Sequence, residues 1–311
     1  MRDTILFGDC RQTLKEFDEQ ARMCVTSPPY YGLRDYGGED NQIGQEQTPD
    51  EFIDQLVNVF KEVRNVLTDD GTCWVNLGDS YYNYRPGKGQ GLPKQSVANT
   101  KQDLPDVCPR RGNRISGLKE KDLIGIPWLF AFAMRADGWY LRQDIIWHKP
   151  NPMPESVRDR CTKAHEYIFL FSKNRKYHYD NEAIKEPAKD WGTRDRTNGK
   201  YHNKGTGLQP HSGLTKSYST KNKRSVWSVT NKPYKGAHFA VFPPELIEPC
   251  IKAGSEKGDI ILDPFMGSGT TGMVAKQLGR DYIGCELNEE YGKLIQKRVT
   301  DYKVSIMDII D

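Results

Sequence analysis

The sequence predicts an α/β fold in which a mostly parallel sheet is covered by helices on both faces. Short apolar segments alternate along the chain with longer segments in which apolar residues recur every three or four positions. Near the carboxyl end, one short apolar segment runs into a glycine-rich loop that is followed directly by a helical segment. A length of 311 residues accommodates one large domain with insertions or two smaller domains.

The first half of the chain contains a clear helix signal between predicted strands. Thr48 and Glu51 form a capping-box pattern, with Pro49 at the first helical position. Apolar residues recur at helical spacing over residues 52–67, and a turn at 69–71 is expected to end the helix. Strands are predicted at 4–7, 21–25 and 72–77.

The second half of the chain repeats the alternation and adds a rigid turn. Residues 148–152, with the sequence HKPNP, are expected to form this turn because two prolines restrict the backbone. Strands are predicted at 140–147, 166–171, 260–262 and 282–285, and helices at 123–136, 243–251, 271–278 and 287–299.

The glycine-rich loop has the features of a nucleotide cradle. Gly267 and Gly269 allow the backbone to approach a ligand and to turn sharply into a helix. Glu286 stands at the end of the next predicted strand, where a carboxylate can accept hydrogen bonds from ribose hydroxyls. Gly272 completes the pattern GSGTTG, so a dinucleotide cofactor is an alternative. The acid of the preceding segment 263–265, DPF, would repel a pyrophosphate but suits the ammonium of a methionyl group.

A second motif, Ser27-Pro28-Pro29-Tyr30, follows the predicted strand at 21–25. The Ser27 hydroxyl and the Pro28 carbonyl can accept hydrogen bonds from an exocyclic amine, whose lone pair is otherwise delocalised into its base. Pro28 and Pro29 stiffen the loop, so these acceptors need little reorganisation. The Tyr30 ring offers a face on which a planar base that has left the duplex can stack.

These two motifs and their order resemble those of the DNA amino-methyltransferases of the beta group. In that group the catalytic SPPY or DPPY motif precedes the target-recognition region, and the loop for S-adenosyl-L-methionine (AdoMet) follows it. Here TSPPY stands at 26–30 and DPFMGSGTT at 263–271. The resemblance implies a Rossmann-like AdoMet-dependent methyltransferase fold with permuted motif order and an inserted DNA-recognition region.

The resemblance also implies roles for individual residues. Residues 27–30 would form the catalytic loop, and a loop at 147–152 would lie near the flipped base. Glu286 would bind the ribose of AdoMet, and Asp9 would lie near its adenine. The full set of implied AdoMet-binding residues comprises Asp9, Asp263, Pro264, Phe265, Gly267, Ser268, Gly269, Thr270, Thr271 and Glu286.

Ser27 bears on the target base, because many members of the group carry Asp or Asn at this position. A serine at this position resembles the cytosine-N4 subgroup. This resemblance favours methyl transfer to the N4 amine of a flipped cytosine in double-stranded DNA. The N6 amine of adenine is the alternative within the same family, and RNA or protein amines are further alternatives that the motif order disfavours. A C5-cytosine enzyme needs a cysteine nucleophile, but Cys250 follows Pro249 inside a predicted helix and is expected to belong to the core.

Two stretches concentrate the positive charge. Residues 85–121 contain nine Lys or Arg against three Asp or Glu, and residues 185–235 contain twelve against three. The rest of the chain is acidic, since the whole chain has a net charge of only +3. Such stretches suit contacts with a phosphate backbone, and the second also carries aromatic residues that solvated linkers rarely keep.

The predicted organisation is therefore one core with two insertions. It comprises the catalytic half of the core at 1–84, a basic insertion at 85–121, a core continuation at 122–184, a target-recognition insertion at 185–235, and the AdoMet-binding half at 236–311.

Composition disfavours several other classes of protein. No run approaches the roughly 18 apolar residues of a membrane span, and the first residues lack an apolar signal core, so a cytoplasmic location is expected. The seven cysteines include no CxxC pair and the six histidines show no ligand spacing, so neither disulfides nor a metal site is expected. The resemblance implies a bacterial or phage-infected cell, a monomer or homodimer, and a restriction endonuclease that acts separately.

Overall fold

The computed structural model describes residues 2–32, 42–82, 115–188, 219–231 and 242–307. The first elements are β1 (Thr4–Phe7), α1 (Cys10–Thr13), β2 (Ala21–Thr26), α2 (Pro49–Val66) and β3 (Leu67–Leu77). The central elements are α3 (Ile126–Ala136), β4 (Tyr140–His148), β5 (His165–Ser172), β6 (Glu186–Pro187), β7 (Thr220–Lys221) and β8 (Val226–Ser228). The last elements are α4 (Pro244–Gly254), β9 (Ile260–Asp263), α5 (Thr270–Gln277), β10 (Asp281–Glu286) and α6 (Tyr291–Met307).

Eight of these strands form one sheet in the order β1-β10-β9-β2-β3-β5-β4-β8. The strands from β1 to β3 run parallel, whereas β5 is antiparallel to both of its neighbours, β3 and β4. The sequence prediction of a mostly parallel sheet is confirmed. The strand order reverses between β9 and β2, because β9 leads through α5 to β10 on one side while β2 leads through α2 to β3 on the other. Ligands of open α/β sheets bind outside the carboxyl ends of strands at such a reversal.

Helices cover both faces of the sheet, as the sequence predicts. Helices α2 and α3 pack on one face, where the rings of Phe60 and Phe130 have centroids 5.2 Å apart. Helices α4, α5 and α6 cover the other face, where Ile251, Val274 and Ile295 are buried in a second apolar cluster. Burial on both faces explains why the central strands read as continuous apolar runs.

Helix α2 begins as predicted. The Thr48 hydroxyl accepts a hydrogen bond from the Glu51 amide at 3.2 Å, and the Glu51 carboxylate accepts one from the Thr48 amide at 3.0 Å. This reciprocal pair is the capping box, and it satisfies amides that the first helical turn leaves unpaired.

The predicted turn at 69–71 is wrong, because the chain passes from α2 directly into β3. The pairing of β2 with β3 shifts register between Ala21 and Met23, so the extra residues of β3 form a bulge instead of a turn. Gly71 fits this bulge, since a Cβ there would lie 2.9 Å from the Thr68 carbonyl oxygen.

Helix α3 begins at Ile126 and not at the predicted residue 123. Leu123 is extended and pairs with Tyr81 in an isolated bridge. Gly125 then turns the chain with a φ of 86°. The Asp79 carboxylate, which follows β3, accepts hydrogen bonds of 3.1 Å from the amides of Gly125 and Ile126 and so caps the helix.

Strand β8 belongs to the main sheet, although it lies inside the stretch 185–235 that is predicted to be an insertion. It pairs in parallel with β4, with Trp227 beside Trp147. Before it, β6 and β7 form a separate antiparallel pair, and the Ala188 amide donates to the Ser219 carbonyl at 2.9 Å. Residues 188 and 219 are therefore adjacent in space.

Candidate active site

The two sequence motifs meet at the reversal of strand order. Strands β2 and β9 are paired, and β2 ends at Thr26 while β9 ends at Asp263. The Thr26 hydroxyl donates a hydrogen bond of 2.6 Å to Asp263, across 237 residues of sequence. The loop that follows Thr26 and the loop that follows Asp263 therefore begin side by side.

Asp263 is a buried carboxylate that braces the glycine-rich loop. It also accepts hydrogen bonds from the Thr271 hydroxyl at 2.6 Å and the Phe265 amide at 3.0 Å. Burial raises the pKa of Asp263 to about 6, although these hydrogen bonds favour the ionised form. The carboxylate thus ties both ends of the loop to β2, while its predicted contact with a ligand ammonium stays a prediction.

The glycines of the loop have backbone conformations and neighbours that side chains would not tolerate. Gly267 has a φ of 53°, and Gly269 caps α5 with a φ of 81°. A Cβ on Gly269 would lie 2.8 Å from Ile295 Cγ2. A Cβ on Gly272, the third glycine of the pattern, would lie 2.9 Å from Met266 Cε, so Gly272 serves the close packing of α5.

Glu286 lies at the end of β10, where the sequence predicts it. One carboxylate oxygen accepts a hydrogen bond of 2.8 Å from the Gly267 amide, and the other accepts one of 3.0 Å from the Asn288 amide. Burial raises the pKa of Glu286. Because the chain turns at Asn288, helix α6 begins at Tyr291 and not at the predicted residue 287.

Asp9 lies next to Glu286 across the strand pair. The Gly8 amide donates to the Glu286 carbonyl at 2.9 Å, and Asp9 then caps α1 by accepting from the Arg11 amide at 2.9 Å. Partial burial opposes ionisation of Asp9, but its hydrogen bonds and ion pair with Arg11 outweigh burial and lower its pKa. Strands β9 and β10 thus end in carboxylates, and Asp9 follows the end of the neighbouring strand β1 by two residues.

The remaining predicted cradle residues lie in or beside the loop. Pro264 and Ser268 are buried and Phe265 is half-buried. Thr270, the first residue of α5, has a buried hydroxyl oxygen without a partner among the described residues. An unsatisfied hydroxyl at a helix start, beside glycines and carboxylates, fits a ligand that carries positive charge and hydroxyl groups. AdoMet carries both, whereas the pyrophosphate of a dinucleotide is anionic.

The SPPY loop leaves the end of β2 and packs against β3. Pro28 is buried, whereas Ser27, Pro29 and Tyr30 are half-buried. The Ser27 hydroxyl donates to Asn76 Oδ1 at 3.4 Å. The structure therefore brings the predicted catalytic residues to the same edge of the sheet as the predicted cradle.

Two polar residues that contact this loop, Asn76 and Glu166, were missed by the sequence reasoning, whereas Lys149 lies in the loop predicted at 147–152. The Tyr30 hydroxyl donates to Glu166 at 2.7 Å, and Glu166 forms an ion pair with Lys149. Asn76 donates to the Tyr167 carbonyl at 3.1 Å and thereby links β3 to β5. Two signals were available in the sequence. Asn76 is a polar residue inside the apolar run of β3, and Glu166 is an acid at the start of the apolar run of β5.

Other sequence expectations concern groups away from this site. Cys250 is buried in α4, and burial raises the pKa of its thiol, which suits a core residue and not a nucleophile. In the described part of the chain, no group of three His, Cys, Asp or Glu side chains could hold a metal ion. Among the described helices, none has the length and hydropathy that crossing a membrane requires. Most of both basic stretches, at 83–114, 189–218 and 232–241, lies outside the described residues.

Comparison with known proteins identifies relatives along nearly the whole chain. Residues 21–297 match the family model of the N6/N4 enzymes, described as DNA methylase. Type II methyltransferase M.XycI of Xanthomonas campestris pv. cyanopsidis is 46% identical over 312 residues, covering 99% of this chain and 92% of the relative. Type II methyltransferase M.SmaI of Serratia marcescens is also 46% identical, covering 95% and 90%.

Solved structures share the fold at lower identity. The PvuII DNA methyltransferase, described as cytosine-N4-specific, superposes with a TM-score of 0.62 at 19% identity, and the match covers 99% of this chain and 93% of the PvuII chain. A putative DNA modification methylase from Thermus thermophilus, solved with AdoMet, superposes with a TM-score of 0.58 at 22% identity, covering 96% and 93%. The predicted Rossmann-like methyltransferase fold is confirmed.

Proposed function

This chain belongs to the N6/N4 family of DNA methylases, and on that basis we propose that it methylates the N4 amine of a cytosine in double-stranded DNA. Membership establishes an AdoMet-dependent DNA methyltransferase related to the type II modification enzymes. The choice of base, the roles of individual residues and the recognition of a duplex are the parts that we propose.

The observation that carries the proposal is the hydrogen bond between Thr26 and Asp263. It joins the start of the SPPY loop to the start of the glycine-rich loop at the reversal of strand order, where ligands of such sheets bind. A methyl donor in one loop and an amine in the other would then be neighbours. Positioning two reactants in this way removes much of the entropic barrier to a direct displacement.

The proposed chemistry needs acceptors for the amine. With its proton directed at Asn76, the Ser27 oxygen keeps lone pairs for an amine N–H, and the Pro28 carbonyl offers a second acceptor. These acceptors would orient the amine and favour a more tetrahedral nitrogen, which is the better nucleophile. When bound, AdoMet supplies the activated methyl group.

The cofactor residues are proposed from their places around the loop. Glu286 would receive the ribose hydroxyls, Asp9 would lie at the adenine end, and the glycine backbone would face the methionyl part. The same assignment includes Asp263, Pro264, Phe265, Ser268, Thr270 and Thr271 as the walls and braces of the cradle.

Serine at position 27 supports cytosine over adenine, and the PvuII enzyme, which has the same fold, is described as cytosine-N4-specific. The N6 amine of adenine is the alternative, because both bases present a similar exocyclic amine. We further propose that the basic stretches 85–121 and 185–235 contact the duplex, with the second as the target-recognition region of an otherwise continuous core. A separate restriction endonuclease and a monomeric or homodimeric state are part of the same proposal.

The test is nucleoside mass spectrometry on duplex DNA of mixed sequence after incubation with the protein and AdoMet. N4-methylcytosine is the expected product. N6-methyladenine would overturn the assigned base and keep the reaction class, whereas methylation of RNA in preference to DNA would overturn the assigned substrate. A Ser27→Ala variant serves as the control that ties the product to the SPPY loop.

A further inference from the structure

Glu166, near the start of β5, joins the SPPY loop to an ion pair that is largely withdrawn from solvent. Its Oε2 accepts the 2.7 Å hydrogen bond from Tyr30, and its Oε1 pairs with the Lys149 ammonium. The side chains of Lys149 and Glu166 are only 16% and 14% exposed. Withdrawing two charges from water is costly, so such a pair is more readily explained by the geometry it imposes than by stability.

Lys149 is itself held in place. Its ammonium lies 4.2 Å from the centre of the Trp147 ring. The indole N–H of Trp147 donates to the Val229 carbonyl at 2.8 Å, beside the edge strand β8. The acceptor of the Tyr30 hydroxyl is therefore anchored through Lys149 and Trp147 to the far edge of the sheet.

One edge of the Tyr30 ring lies against the backbone of Gly78. A Cβ on Gly78 would lie only 2.6 Å from Tyr30 Cε2, so the ring occupies space that any other residue at position 78 would fill. With its edge against Gly78 and its hydroxyl on Glu166, the Tyr30 ring is held at two points. The Glu166 contact fixes the hydroxyl end of the ring, and the Gly78 contact limits rotation of the ring about its long axis.

We propose that Glu166 is a positioning residue for methyl transfer, which acts by holding the Tyr30 ring in the orientation that receives the target base. The inference rests on the proposed role of Tyr30 in stacking. Glu166 does not touch the reacting atoms in this account, and Lys149 holds the carboxylate in place. Loss of the Glu166 carboxylate would let the hydroxyl end of the ring move and would misplace the base relative to the methyl donor.

The test is a double-mutant cycle on the full-length protein, with single-turnover rates measured from tritiated AdoMet on mixed-sequence duplex DNA. Tyr30→Phe is expected to lower the rate about tenfold by removing the hydroxyl, and Glu166→Ala about 30-fold. If Glu166 acts through Tyr30, the double variant stays within about threefold of Glu166→Ala, whereas independent effects would multiply to about 300-fold. AdoMet affinity, measured by calorimetry, is expected to be unchanged in all three variants.

Glu166→Gln provides a conservative rescue, because an amide oxygen can still accept from Tyr30. Its rate is expected within about threefold of wild type, and a rate as low as that of Glu166→Ala would overturn the inference. Glu248→Ala is the matched control: Glu248 pairs with Lys252 at 2.6 Å on α4, away from the SPPY loop, and the substitution should leave the rate unchanged. If Glu166→Ala does not fold, as judged by its thermal melt, a normal rate in Tyr30→Phe would overturn the inference.

The outcomes separate this inference from the proposed function. Wild-type protein that methylates no DNA would overturn both. Active wild-type protein with multiplicative losses in the cycle would overturn the positioning role alone. Formation of N6-methyladenine in place of N4-methylcytosine would change the base and leave the cycle interpretable.

Discussion

At the scale of single residues, the Ser27 hydroxyl carries the most specific chemical role. Replacement by alanine removes one acceptor for the amine and leaves the backbone of the SPPY loop in place. We expect Ser27→Ala to lower turnover by about a hundredfold, the usual effect of losing one aligned polar contact in the transition state. AdoMet affinity should be retained, because the cradle lies in the other loop. Steady-state kinetics and calorimetric AdoMet binding measure the two effects separately.

A threonine on the last helix gives a control for this substitution. Thr300 is exposed on α6, and its hydroxyl donates a hydrogen bond of 2.7 Å to the Gln296 carbonyl of the same helix. Thr300→Ala removes a hydroxyl together with one methyl group and should leave turnover unchanged. Equal losses of turnover and AdoMet affinity in Ser27→Ala would contradict the role assigned to Ser27.

The buried Asp263 predicts a pH dependence of stability. Its pKa of about 6 in the folded protein lies above its ordinary value of 3.8, so the folded state holds this proton more tightly than the unfolded state. As pH rises from about 4 to about 6, ionisation of Asp263 therefore lowers the free energy of unfolding, by at most about 3 kcal/mol. Asp263→Asn should remove that part of the pH dependence and raise stability at pH 7, which denaturant titrations at pH 4, 5, 6 and 7 can measure.

The same variant tests what the sequence could predict about Asp263. An acid before the glycine-rich loop suggests a partner for the ligand ammonium, but the sequence does not show that Thr26, Thr271 and Phe265 already donate to it. At least a tenfold loss of AdoMet affinity in Asp263→Asn supports the ammonium contact. An unchanged affinity would restrict Asp263 to bracing the loop, and an unchanged pH dependence would contradict the raised pKa.

At the scale of elements, the junction between the glycine-rich loop and α5 depends on Gly269. A side chain there meets two obstacles, a φ of 81° and a Cβ position 3.2 Å from the Ile295 Cα on α6. We expect Gly269→Ala to lower the free energy of unfolding by about 2–4 kcal/mol and to weaken AdoMet binding, because α6 must shift away from the cradle. Thermal melts and calorimetry measure the two losses.

Gly258 allows the cost of the positive φ to be separated from the cost of the contact with α6. It has nearly the same φ, 85°, but a Cβ there would meet nothing within 4 Å. Gly258→Ala should therefore show only the backbone cost of about 1 kcal/mol, with AdoMet affinity unchanged. If both alanine variants lost the same stability, contact with α6 would not be the reason for glycine at 269.

Helices and loops could be predicted from the sequence where the residues that determine them lie within a few positions of one another. The capping box at Thr48 and the prolines of the SPPY loop act within a few residues, and both are visible in the sequence. The bulge at Gly71 was not, because it depends on the register of β3 against β2. Strand β8 was missed for a similar reason. Its three residues form a strand by pairing with β4, which is distant in the sequence.

At the scale of the whole molecule, the site is produced by topology. Alternating strands and helices predict a parallel sheet, but residue patterns alone do not reveal that β9 lies beside β2. That neighbourhood places Thr26 against Asp263 and so joins motifs from the two ends of the chain. The Tyr30–Glu166–Lys149 contacts arise in the same way, from the antiparallel pairing of β3, β5 and β4.

The distribution of charge predicts how the whole molecule meets DNA. The stretch 185–235 carries twelve Lys or Arg against three Asp or Glu, so binding should release counterions from the duplex. We expect the logarithm of the association constant to fall linearly with the logarithm of salt concentration, with a slope of about −4 or steeper. Each phosphate contact is expected to contribute about −0.9 to this slope. Fluorescence anisotropy of a labelled duplex between 50 and 300 mM salt measures the slope.

Charge-neutral variants connect the slope to the basic stretch. Replacing Lys200, Lys204 and Lys216 by glutamine should reduce the magnitude of the slope by up to about 2.7, since three phosphate contacts would be lost. Lys252→Gln and Lys257→Gln, at the end of α4 and in the turn after it, are controls that should leave the slope unchanged. A slope near zero in the wild-type protein, or equal slopes in the wild-type and triple-variant proteins, would contradict phosphate contact by this stretch. Methylation assayed at the same salt concentrations should decline in parallel with binding, because the base can enter the SPPY loop only from bound DNA.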